Sequence, residues 1–274
     1  MIDFNKDIDR SLKTLSISAT IGLIEKPKDQ EKMLENTYNK HYNNPESEYY
    51  HLSKEEIKAI WENKGAESRA YGSLLDDYIG IKLTGTAEEL EMYKLDNDVD
   101  GDERLKGLIS SFENFWSILS ASGDMEFVAR EKNVYYRFGD YYIRGRFDAL
   151  FRNKRTGKWV IIDWKSTKNI DYSNPWQKLL GPAKTYDDCY HVTYTMQGYF
   201  YKTALIYSEY LPAGTTEDDV EFLIIQLPGF EISEGKDFKI HKPAFKYDKA
   251  FMDRVFEFAI KKNELLLESN KEDK

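Results

Sequence analysis

Tyr141-Tyr142-Ile143-Arg144-Gly145-Arg146-Phe147-Asp148-Ala149-Leu150-Phe151 is followed, seven residues later, by Trp159-Val160-Ile161-Ile162-Asp163-Trp164-Lys165. Both runs are rich in aromatic and β-branched residues. The stretch between them carries Arg155-Thr156-Gly157-Lys158, a turn signal. The pattern predicts two antiparallel strands joined by a hairpin. Side chains alternate faces along a strand, so Asp163 and Lys165 point one way while Ile162 and Trp164 enter the opposite layer. The neighbouring strand can bring Asp148 alongside Asp163. Two carboxylates and an ammonium then converge at one strand end.

Upstream, Met125–Ala129 and Val134–Phe138 read as further β-rich runs, with Gly139-Asp140 marking a second hairpin. A helix is predicted over 103–121, with Leu105, Leu108, Ile109, Phe112, Phe115 and Trp116 on its buried side. Ser53-Lys54-Glu55-Glu56 reads as a capping box that opens a helix carrying Ile57, Ile60 and Trp61. The helical pattern resumes through Leu74, Leu75, Tyr78 and Ile79. Residues 11–24 read as a short strand running into a turn or helix, and 25–52 as helix and loop. Downstream come a helical pattern over 190–208, a strand Val220–Leu227, an amphipathic helix over 246–267 and a polar tail over 269–274. Residues 94–104 are acidic and read as an exposed loop. Their Asp96, Asp98, Asp100 and Gly101 fail the calcium-loop pattern, because the glycine falls one place early and Lys106 stands where the closing glutamate belongs.

Helices, then a β-meander, then helix, strand and helix predict one α/β domain over 1–274: a mixed β-sheet flanked by helices, with an N-terminal helical extension. Within it, 1–124 is mainly helical, 125–230 forms the core, and 246–267 is the C-terminal helix. With 41% hydrophobic and 15% aromatic residues in 274, the chain can bury a substantial core. A single cysteine, Cys189, excludes an intramolecular disulfide and a cysteine-ligated zinc or iron–sulfur site within one chain. The first residues lack the basic start and apolar run of a signal peptide, and no stretch approaches the roughly 20 apolar residues of a membrane span. A cytoplasmic protein without a membrane partner is the expectation.

The net charge is −9, which by itself argues against a nucleic-acid partner. Its distribution reverses that reading. Residues 126–184 hold 13 Arg and Lys against 6 Asp and Glu, a charge of +7, which leaves −16 on the rest. The basic segment is the one that carries Asp148, Asp163 and Lys165. Their chemistry suits phosphodiester cleavage. Mg²⁺ takes hard oxygen ligands, commonly one or two carboxylates plus water and phosphate oxygens. It lowers the pKa of bound water and neutralises charge on the phosphate. Lys165 can position or deprotonate the attacking water, or stabilise developing negative charge.

Gly145-Arg146-Phe147-Asp148 followed by Ile161-Ile162-Asp163-Trp164-Lys165 resembles the signature of the PD-(D/E)XK nuclease superfamily, most closely its RecB-type and phage exonuclease branch. The resemblance spans roughly 60–205, with the tight motifs at 145–165 and 197–201. It implies a restriction-endonuclease-like core and a Mg²⁺ or Mn²⁺ ion held by Asp148 and Asp163, with Lys165 as the motif lysine and the Trp164 carbonyl completing the metal shell. It also implies DNA contacts from Gln197 and Tyr201, which stand in the branch's Gln-x-x-x-Tyr helix pattern. Where the branch has Gly-Thr-x-x-His, this chain reads Gly72-Ser73-Leu74-Leu75-Asp76, so Asp76 takes the place of a ligating histidine. Glu67 is a weaker candidate on the same helix, and Glu131 is a candidate to support the ligands. The iron–sulfur cluster of some relatives cannot be built here.

The function so implied is a metal-dependent DNA nuclease, acting at ends as an exonuclease in recombination, repair or phage DNA processing. A structure-specific endonuclease, an RNA-directed nuclease and a catalytically silent DNA-binding or structural protein of the same fold are the alternatives. Phosphate contacts are expected among Arg144, Arg146, Arg152, Lys154, Arg155, Lys168 and Lys178. A toroidal homo-oligomer would suit processive action.

Overall fold

The computed structural model describes residues 2–230 and 237–272. The last two residues of the polar tail expected over 269–274 lie outside them. In chain order the elements are β1 (Lys13–Ser16), α1 (Ile17–Ile24), α2 (Gln30–His41), α3 (Lys54–Thr84), α4 (Ala87–Asp96), α5 (Glu103–Ala121), β2 (Met125–Phe138), β3 (Tyr141–Asn153), β4 (Trp159–Lys165), α6 (Tyr190–Tyr207), β5 (Val220–Gln226), β6 (Lys239–His241) and α7 (Lys249–Glu272).

Local chemistry accounts for several boundaries. The Ser53 side chain accepts from the Glu56 amide, and the Glu56 carboxylate accepts from the Ser53 amide, so the expected capping box opens α3. The helix then runs unbroken for 31 residues, joining the two helical stretches that the sequence suggested. The acidic stretch 94–104 is only partly a loop. Lys94, Leu95 and Asp96 end α4, Val99 is buried, and the Asp102 carboxylate accepts from the amides of Arg104 and Leu105 to start α5. β2 is one strand of 14 residues rather than two separate runs. The C-terminal helix begins three residues later and runs further than its apolar pattern suggested.

The six strands form one mixed sheet. β2 and β3 pair antiparallel along the length of β3, with a register shift between Phe127 and Ala129. Two strands share the other edge of β3. β1 lies parallel against 141–144, and β4 lies antiparallel against 149–152. Residues 145–148 thus face a gap between β1 and β4. β5 adds parallel to β4, and β6 antiparallel to β5. β6 and the docking of β1 have no counterpart in the sequence expectations.

Both faces of the sheet are buried. On one, Phe147, Leu150, Ile161 and Ile224 pack with Phe200, Tyr201, Met252 and Phe256 of α6 and α7. On the other, Ala149, Phe151, Ile162 and Trp164 pack with Leu75, Tyr78, Phe112 and Phe115 of α3 and α5. The arrangement is the mixed sheet flanked by helices that the element order predicted. Each large apolar side chain so buried contributes on the order of 1.5–3 kcal/mol. Among the described residues no helix is long and apolar enough to cross a membrane.

Candidate active site

β4 alternates strictly. Trp159 and Ile161 belong to the α6 face, and Val160, Ile162 and Trp164 to the α5 face. Asp163 and Lys165 therefore point toward α6, as the spacing predicted. The ring of Trp164 is anchored on the far side, edge-on to Phe112 and Phe115 with centroids 5.6 Å away in each case. This packing fixes the strand end that carries Asp163 and Lys165.

β3 does not alternate strictly. Tyr141, Ile143 and Phe147 face α6, but so does Leu150, while Ala149 and Phe151 face α5. The phase slips by one residue between Phe147 and Ala149, at Asp148. On β2, Glu131 lies between the pairs Arg130↔Ala149 and Lys132↔Phe147 and takes a left-handed backbone, φ 48°. The slip turns Asp148 toward β4 just where their ladder ends at Ala149↔Ile162. Its Oδ2 accepts from the Trp164 amide at 2.8 Å, in place of a further backbone bond. A residue in a strand directs its N–H and C=O to the same side. The Trp164 carbonyl therefore also faces the Asp148 edge, whereas the Lys165 carbonyl accepts from Leu227 on the β5 side.

Asp163 is 1% exposed, and its Oδ2 lies 2.6 Å from the Lys165 ammonium. That contact lacks hydrogen-bond alignment. The two oxygens of Asp163 are, among the described residues, the only buried side-chain polar atoms without a hydrogen-bond partner. The Lys165 ammonium also sits 4.6 Å from the ring centroid of Tyr194. Burial, and then the charge of Asp163, raise the Asp148 carboxyl to about 7, against the pull of Lys165 and the Trp164 amide. Burial likewise raises Asp163, with Lys165 opposing. Burial acts to lower Lys165, but Asp163 and Asp148 outweigh it and the net shift is upward. Lys165 is thus a cation paired with Asp163.

A buried carboxylate (Asp163), a half-buried one (Asp148) and a carbonyl on the same side are the donor set of a hard divalent cation. Among the described residues no three His, Cys, Asp or Glu side chains gather closely enough to hold a metal by themselves. An ion here would rest on Asp148 and Asp163, with carbonyl and water oxygens filling its shell.

The other expected residues are placed as follows. Asp76 is on the α3 face near Asp148 and is engaged by Arg130, 3.3 Å away, so in this structure it is an ion-pair partner. Glu131 is bound by Arg130 and Arg146, each at 3.0 Å. Glu67 pairs with Arg104 at 3.5 Å on the exposed side of α3. Tyr201 does not reach the surface. It is 1% exposed and packs edge-on to Phe147, its hydroxyl accepting from Gln197 Nε2 at 2.7 Å. Burial, and then the charges of Asp163 and Asp148, push its hydroxyl well above the ordinary tyrosine range. Gln197, its partner, is partly exposed.

The basic residues divide. Arg144 and Arg146 are exposed on β3 beyond the Lys165 end of β4, and exposed Lys168 follows that strand. Lys154 and Arg155 lie at the opposite end of β4, about 20 Å away at 3.3 Å per residue. There Arg155 pairs with Asp124, and Arg152 stacks over Trp159. Lys178 pairs with Asp187. Sequence reasoning missed Arg130 and Tyr194. The run Ala149-Leu150-Phe151, which interrupts the alternation, is the signal that could have revealed the slip at Asp148.

No family model matches the chain, and no curated protein matches it. Among solved structures the chain is similar to a "putative exonuclease" from Eubacterium rectale, with 13% identity and a TM-score of 0.42 over 90% of this chain and 77% of the other. It is similar to a protein named SSO0001 with 14% identity and a TM-score of 0.30, over 85% of this chain and 86% of the other. Likenesses this distant carry no argument about activity.

Proposed function

We propose that this chain is a metal-dependent DNA nuclease of the PD-(D/E)XK superfamily, its core a restriction-endonuclease-like one, acting at DNA ends as an exonuclease. The observation that carries the reading is the buried Asp163 carboxylate, whose Oδ1 has no partner and whose Oδ2 has only the Lys165 ammonium, beside Asp148. A purely structural carboxylate would be hydrogen-bonded at that depth. The order β2, β3, β4, α6, β5 around the motif and the resemblance of the motif itself support the family reading. The exonuclease assignment rests on the branch that the motif resembles.

Asp148 and Asp163 would hold Mg²⁺ or Mn²⁺, with the Trp164 carbonyl beside them. When bound, such an ion activates water and offsets charge on the phosphate. The Trp164 amide orients Asp148, and Phe112 and Phe115 hold the strand end rigid. Lys165 presents a fixed positive charge where the pentacoordinate phosphate gains negative charge, a stabilisation that is strongest in a site sheltered from water. Tyr194 and Asp163 keep that ammonium from swinging away.

Purified protein incubated with linear DNA, closed circular DNA and RNA, in Mg²⁺, Mn²⁺ or EDTA, tests the proposal. Degradation of linear DNA only with metal, with the closed circle intact, is expected. Cutting of the closed circle would assign an endonuclease instead. No metal-dependent cutting of any substrate would leave a binding protein that keeps the fold.

A further inference from the structure

The parallel pairing of β4 and β5 sets Gln226 directly beside Lys165, so both side chains lie on the same face of the sheet. The two strands are about 4.8 Å apart. Gln226 is 4% exposed and fully committed. Its Nε2 donates to the carbonyls of Thr167 at 3.0 Å and Lys168 at 2.9 Å, which folds the chain back just after Lys165. Its Oε1 lies 2.9 Å from His241 Nε2, and the Tyr172 hydroxyl bonds the other ring nitrogen of His241. Because Gln226 Oε1 can only accept, His241 Nε2 carries the proton and Nδ1 accepts from Tyr172. Burial lowers the His241 pKa to about 4, which keeps this relay neutral.

The relay builds the wall of a cavity of about 630 Å³ whose lining includes Lys168, Asn169, Tyr172, Gln226, Lys239 and His241. Among the described residues Asp171 is the one acidic side chain on it. The Tyr172 ring is 52% exposed, with the Lys239 ammonium 5.1 Å from its centroid. Tyr190 is 47% exposed and stacks on Tyr194, with centroids 5.6 Å apart and planes at 15°. Exposed aromatic rings thus stand on the cavity beside Gln226 and against Tyr194, the ring that the Lys165 ammonium faces.

Resting on the nuclease reading, we propose that this cavity takes an unpaired nucleotide next to the scissile phosphodiester. Its base would stack on Tyr172 and its phosphate meet Lys168 and Lys239, so the substrate is a single strand or a single-stranded end. Stacking on aromatic rings within a basic groove is how proteins hold unpaired nucleotides without reading sequence. The volume lies within the roughly 300–1,000 Å³ of pockets that enclose small ligands, a size that admits one nucleotide. Tyr172 has a rigid backing in His241, so its ring offers a fixed platform.

Two readouts test this. One is binding of a labelled DNA single strand, its blunt duplex and a matching RNA single strand in EDTA, followed by fluorescence anisotropy. The other is their metal-dependent degradation, with bis(p-nitrophenyl) phosphate as a phosphodiester that has no base. Single-stranded DNA or RNA should bind and be degraded at least about 10-fold better than the duplex, and the preferred strand identifies the sugar. Tyr172→Ala should weaken single-strand binding about 10-fold, within the range for losing one stacked base. It should raise KM on the strand by a larger factor than it slows bis(p-nitrophenyl) phosphate hydrolysis. Tyr172→Phe keeps the ring and loses the bond to His241, so it should bind the strand much more tightly than Tyr172→Ala. Equal handling of duplex and single strand, or a Tyr172→Ala variant that binds the strand normally, would overturn the inference. If wild type hydrolyses neither DNA nor bis(p-nitrophenyl) phosphate with metal, the nuclease reading itself fails, while the binding comparison still decides whether Tyr172 stacks on a base.

Discussion

A carboxylate buried with no hydrogen-bond donor on either oxygen is costly unless cations neutralise it. Asp163 has Lys165 at 2.6 Å for one such partner and Asp148 as a competing negative charge. Titration with Mn²⁺ should therefore find a site in the wild type that Asp163→Ala and Asp148→Ala both lose and Lys165→Ala retains. The same burial gives a pH signature in metal-free protein. Asp148 is raised from 3.8 to about 7, so between those values the folded state holds a proton that the unfolded chain has released. Folding stability from this group falls as pH rises through that window. Asp148→Asn cannot ionise there, so in EDTA its melting temperature should gain on the wild type from pH 4 to 7, and added Mg²⁺ should narrow the gap. At this scale the juxtaposition of Asp163, Lys165 and Asp148 was legible because strand alternation and hairpin pairing are local rules. The engagement of Asp76 by Arg130 and the depth of Tyr201 were not, since both depend on how α3 and α6 seat against the sheet.

Helix α6 reaches the sheet because Gly145 lets it. A Cβ built there would lie 2.4 Å from Phe200 Cε1 and 2.7 Å from Tyr201 Cε1. The glycine of the motif is thus a packing requirement, one residue type that admits two aromatic rings over β3. Gly145→Ala should lower stability by about 1–3 kcal/mol, the usual range for overpacking a core. Because Tyr201 packs on Phe147, the residue before Asp148, the variant should also reduce cleavage under conditions where it remains folded. Thermal melts paired with rate measurements check both. Most elements could be read from periodicity and capping signals: the capping box of α3, the full span of α5 and the β3–β4 hairpin. β1 and β6 are short, three or four residues, and their places are set by partners distant in sequence. The slip at Asp148 defeats any reading that assumes perfect alternation.

Over the whole molecule, the basic segment is continuous in sequence but split in space. Arg144, Arg146 and Lys168 lie toward the Lys165 end of β4, while Lys154 and Arg155 lie at the other. If the candidate site is where nucleic acid binds, Arg144→Ala should reduce the slope of log affinity against log salt by about 0.7–0.9, the contribution of one neutralised phosphate. Lys154→Ala should leave the slope unchanged. A net charge by segment cannot make this distinction, because antiparallel strands send neighbouring residues to opposite ends of the sheet. The most direct measurement is single-turnover cleavage of labelled linear DNA by wild type and Lys165→Ala at saturating Mg²⁺. Wild type should cleave only with metal, and Lys165→Ala should be slower by about 10² or more, the scale for one positioned electrostatic group. Lys165→Arg should not restore the rate, since a planar guanidinium is bulkier than the ammonium that fits between Asp163 and Tyr194. Cleavage by Lys165→Ala at close to the wild-type rate would contradict the assignment of Asp148, Asp163 and Lys165 as the catalytic centre.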